Sequence, residues 1–213
     1  MQDIYRTIDP FDWITFILIG CIIIVTVLKV VYPKRFDDFI KLPISNNYFL
    51  TKGKFEELKH PFSVLFFLIQ ILMLSLFIFL FFVEKGEISA KVYIKITMAS
   101  FAFILVKTSI EKLIGSIFSI ETIINRYIFT KLSYRNFISL FLIALNFIFY
   151  FAMKPNMEVL VMFTGIIIVL NLLILFINYK NYRSLIFSNF FYFLLYICAL
   201  EISPYLILYR VIV

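Results

Sequence analysis

The chain has 213 residues, of which 63% are hydrophobic, 20% aromatic and 15% charged, and it carries a net charge of +7. A soluble domain is about 45–50% apolar and about 25% charged, and a globule of this size cannot hide such an excess from water. That excludes a soluble globular enzyme and, equally, a disordered chain, leaving an all-α integral membrane protein.

A bilayer span takes about 20 mostly apolar residues. The first candidate, 13–31, carries only Lys29 near its end and is closed by Tyr32-Pro33-Lys34-Arg35, which reads as an uncleaved anchor. The second, 61–83, is uncharged and opens on Pro61, a residue suited to a first helical turn. The third, 92–107, is the least clean, with Lys95 at its start and Lys107 at its end. The fourth and fifth, 136–153 and 159–179, are joined around Lys154-Pro155-Asn156, a connection short enough to force an antiparallel pair. The sixth, 184–209, holds a single charge, Glu201. One polytopic bundle of about six spans over residues 1–213 is therefore expected.

Between the spans, residues 34–42 mix apolar and charged side chains as in a short helix lying on the membrane surface. Residues 108–131 show a helical period. Ile110, Leu113, Ile114, Ile117, Ile124, Tyr127 and Ile128 fall on one face, and Ser116 and Ser119 fall off it. This segment either continues the third span or forms a separate interfacial helix on the cytoplasmic side.

Six spans place both termini on one side of the membrane. Loops one, three and five with their flanks hold fourteen of the 20 Lys and Arg, and the opposite side holds six. The positive-inside bias predicts those loops in the cytoplasm and both termini in the periplasm of a bacterial inner membrane. The basic balance is thus explained by an anionic leaflet rather than by nucleic acid.

Chemistry-bearing motifs are scarce. His60, the single histidine, has no metal-ligating partner at a helical spacing, and Cys21 and Cys198 sit in separate apolar runs. No cofactor, metal or catalytic constellation is expected. Glu201 stands out in Leu200-Glu201-Ile202-Ser203-Pro204, because a carboxyl at depth normally meets a partner or water. Pro204 lacks the N–H that would bond the Leu200 carbonyl, which leaves an acceptor free one turn away. Two readings stand: a structural contact to a neighbouring helix, which is favoured, or a proton or cation site. Asn189, Tyr196 and Ser203 add polar groups to a second face of that helix. Gln70, Asn146 and Asn171 lie well inside spans, where amides hydrogen-bond across helices. Lys107 and Glu111, four residues apart, form a candidate cytoplasmic ion pair.

The C-terminal run from Leu194 to Arg210, with Leu200-Glu201-Ile202-Ser203-Pro204-Tyr205 at its centre, resembles the closing signature of an uncharacterised family of small polytopic inner-membrane proteins of Bacteroidota. The segment Asn46-Asn47-Tyr48-Phe49-Leu50 followed by Pro61-Phe62 is similar to that family's first cytoplasmic loop. The resemblance implies no reaction. Its restriction to one lineage implies an envelope machine, such as a secretion or motility apparatus.

The expected function is therefore a non-catalytic scaffold or accessory subunit of a larger membrane assembly. Its expected partners are membrane lipids and either another membrane protein or a second copy of itself. The alternative is a small transporter using Glu201.

Overall fold

The computed structural model describes residues 12–42, 60–86, 88–117 and 121–186, and these are helical almost throughout. In chain order the helices are α1 (Asp12–Val31), α2 (Pro33–Ile40), α3 (Pro61–Glu84), α4 (Ala90–Ile117), α5 (Glu121–Phe147, extended by a π-helical turn Ile148–Ala152) and α6 (Met157–Ile186). Five stretches are long and apolar enough to cross a membrane: Asp12–Val31, Pro61–Glu84, Ala90–Ile117, Ile124–Ala152 and Met157–Ile174.

Local chemistry sets the boundaries. Tyr32 precedes a proline, which disfavours the helical region, so α1 stops and Pro33 opens α2 at a position where its missing N–H costs nothing. His60 caps α3, its Nδ1 accepting a hydrogen bond from the Phe62 backbone N–H at 3.2 Å, and Pro61 again takes the first helical position. Gly86, with φ of +89°, turns the chain out of α3 in the left-handed region that side chains avoid. The Ser89 hydroxyl accepts from the Lys91 N–H at 3.3 Å as α4 begins.

α3 is the centre of the bundle, packing most extensively on α5, then on α4. Its buried residues include Phe62, Phe66, Ile69, Met73, Leu76, Phe79 and Leu80. α1 lies against α3 and α5, and α6 against α5 and α3. Between 12% and 30% of surface-type burial arguments are unnecessary here: the outward residues of α1, α4 and α6, such as Phe16, Phe101 and Leu172, are exposed and apolar, as a lipid-facing surface requires.

 (Correction: the percentages in the preceding sentence rest on no measurement and that opening clause should be struck. The finding is only that these outward residues are exposed and apolar.)

Two sequence expectations change. The segment 108–131 is not a separate interfacial helix. Residues 108–117 prolong the third span, and residues 121–131 open α5, which begins fifteen positions before the expected start of the fourth span at 136. Nor do its apolar residues share one environment: Ile124, Tyr127 and Ile128 are buried, whereas Ile110, Leu113 and Ile117 are exposed. The helical period marked apolar positions, but in a bilayer such positions face either protein or lipid. The expected surface helix at 34–42 does form as α2, yet Phe36 and Phe39 turn onto the bundle, with Phe39 4.6 Å from Phe66 and 6.0 Å from Phe137 between ring centroids. Most of the expected sixth span, 184–209, lies outside the described residues.

Candidate functional site

Buried polar side chains gather in two places. The first is the middle of the bundle, where three donors converge on the backbone of α3. Asn146 of α5 donates its Nδ2 to the Met73 carbonyl at 2.9 Å. Tyr150, in the π-helical turn, donates its hydroxyl to the Leu76 carbonyl at 2.9 Å. Tyr93 of α4 donates to the Leu72 carbonyl at 3.5 Å. Asn146 and Tyr150 are four residues apart and therefore share a face. Gln70 is buried on the same central helix, and its Oε1, like the Asn146 Oδ1, has no hydrogen-bond partner among the described residues.

The second lies where α4 and α5 meet. Glu111 is 2% exposed, and its Oε1 accepts from the Lys131 Nζ at 2.6 Å. The Lys131 ammonium also stands 5.5 Å from the centre of the Tyr127 ring, within reach of a cation–π attraction. The helices approach closely here. A Cβ placed on Gly115 would come within 3.1 Å of Ile124. Next to this contact is a cavity of about 180 Å³ lined by Lys112, Glu121, Ile124 and Asn125. Asn125 is buried and its Oδ1 has no hydrogen-bond partner.

A third cation, Arg35 of α2, is buried over the Phe62 ring at 5.2 Å and donates to the Ser63 hydroxyl at 3.4 Å.

The sequence-predicted residues separate accordingly. Asn146 makes the cross-helix hydrogen bond expected of it. Asn171 does not, because its Nδ2 donates to the Ile167 carbonyl of its own helix at 2.8 Å. Spacing pointed to Lys107 as the partner of Glu111, whereas the structure brings Lys131 to Glu111 from twenty positions further along the chain. Glu201, Ser203, Pro204, Asn189 and Tyr196 lie outside the described residues. Sequence reasoning missed Tyr93, Lys131, Arg35 and Asn125. Tyr150 was read as a headgroup anchor, although its spacing from Asn146 carried the signal that both face α3. Among the described residues no three His, Cys, Asp or Glu side chains assemble as a metal site.

No curated protein and no solved structure matches the chain significantly. A family model does match, over residues 14–212. It spans every helix described above and continues through Glu201, so the chain belongs to the family described as a domain of unknown function, DUF4271.

Proposed function

We propose that the protein is a non-catalytic scaffold or accessory subunit of a larger envelope assembly in a bacterial inner membrane, with both termini in the periplasm. One observation carries this reading: the donors of Tyr93, Asn146 and Tyr150 all end on the backbone of α3. Side chains used in this way hold helices in fixed register, which is the property a platform for other subunits needs. The fourteen-to-six division of Lys and Arg supports the orientation.

A second reading, a small transporter, draws support from the intramembrane carboxyl of Glu201 and from the unsatisfied oxygens of Gln70 and Asn146. Glu201→Gln and Glu201→Leu separate the two in native membranes. For a subunit, Glu201→Gln is mild, and Glu201→Leu lowers protein level or copurification of its partners, because a polar partner is left unpaired. For a transporter, Glu201→Gln accumulates and assembles normally but loses function completely, since only the titratable charge is gone. That second pattern overturns the scaffold reading.

A further inference from the structure

We propose that the cavity between α4 and α5 binds the headgroup of a phosphatidylethanolamine. The argument starts from depth. α4 has 28 residues, about 42 Å at 1.5 Å per residue, against about 30 Å of hydrocarbon. About 12 Å of it therefore stands at headgroup level. Lys112 is five residues from its end at Ile117, within that excess.

The lining then selects the chemistry. Lys112 supplies a cation and Glu121 an anion, from different helices, and no ion pair joins them in the structure. Asn125, 8% exposed, adds a carbonyl oxygen that lacks a donor. A zwitterion meets all three requirements: its phosphate takes Lys112, and its ammonium donates to the Glu121 carboxylate and the Asn125 Oδ1. Outside the cavity, Leu113 and Ile117 are 60% and 73% exposed and offer apolar surface to the acyl chains. A choline headgroup has no N–H to donate, and a glycerol headgroup brings no cation for Glu121. The site therefore distinguishes ethanolamine from both.

The test uses the full chain, purified in detergent and presented with equal amounts of dioleoyl phosphatidylethanolamine, phosphatidylcholine and phosphatidylglycerol. Retained lipid is counted by native mass spectrometry. Phosphatidylethanolamine should be retained about tenfold over phosphatidylcholine, the worth of one charge-assisted hydrogen bond. Glu121→Gln should abolish that preference, and Lys112→Gln should lower retention of phosphatidylethanolamine itself. Both side chains are exposed, so the variants keep the packing, which circular dichroism verifies. Asn125→Leu should act as Glu121→Gln does. Equal retention of the three lipids, a preference for phosphatidylglycerol, or an undiminished preference in Glu121→Gln overturns the proposal.

Discussion

Glu111 and Lys131 illustrate how a single charge behaves in this protein. Removing two ions from water is expensive, and the pair offsets that cost only while both members are present. Lys131→Met strips the Glu111 carboxylate of its 2.6 Å countercharge and should destabilise the protein by about 3–5 kcal/mol. Adding Glu111→Gln to that variant removes the stranded charge and should recover most of the loss. Unfolding of the four proteins in micelles completes a double-mutant cycle. Strictly additive losses would show that the two charges do not depend on each other. The pairing was not legible in the sequence because both residues have nearer charged neighbours along the chain, and only the fold of α4 onto α5 brings them together.

At the scale of helices, the α4–α5 approach turns on Gly115. An added Cβ meets Ile124 at 3.1–3.3 Å, so alanine obliges Ile124 to give by a few tenths of an ångström, and valine asks for more. Gly115→Val should cost about 1–3 kcal/mol, the usual penalty of overpacking, with Gly115→Ala well below it. Ile124→Ala in the valine background should restore part of the loss, read as the change in thermal midpoint. A valine variant as stable as the native chain would mean that the helices separate freely at this corner. Helix positions were legible where an apolar run was clean, as in α1 and α3, because length against bilayer thickness decides the matter. They were not legible over 108–131, where protein-facing Ile124 and lipid-facing Leu113 carry the same apolar signature.

For the whole molecule, the sequence made the helical class and most of the spans plain. It did not show which polar groups meet, since that depends on how α3, α4 and α5 pack. Orientation follows from charge. With both termini periplasmic, a phosphatase fused at the C-terminus should be active, because that enzyme works outside the cytoplasm. A fluorescent protein that matures only in the cytoplasm should be dark at the same position. The reverse pair of results would invert the topology and remove one span from the count.

Trp13 is the chain's single tryptophan, and its ring centroid lies 5.6 Å from that of Phe79 and 5.0 Å from that of Tyr93. It therefore sits where α1, α3 and α4 meet. Excited at the red edge of the aromatic absorption, this indole emits alone, and its colour reports the polarity around it. The protein thus carries an intrinsic optical gauge of whether its first helix is seated, without any label being attached.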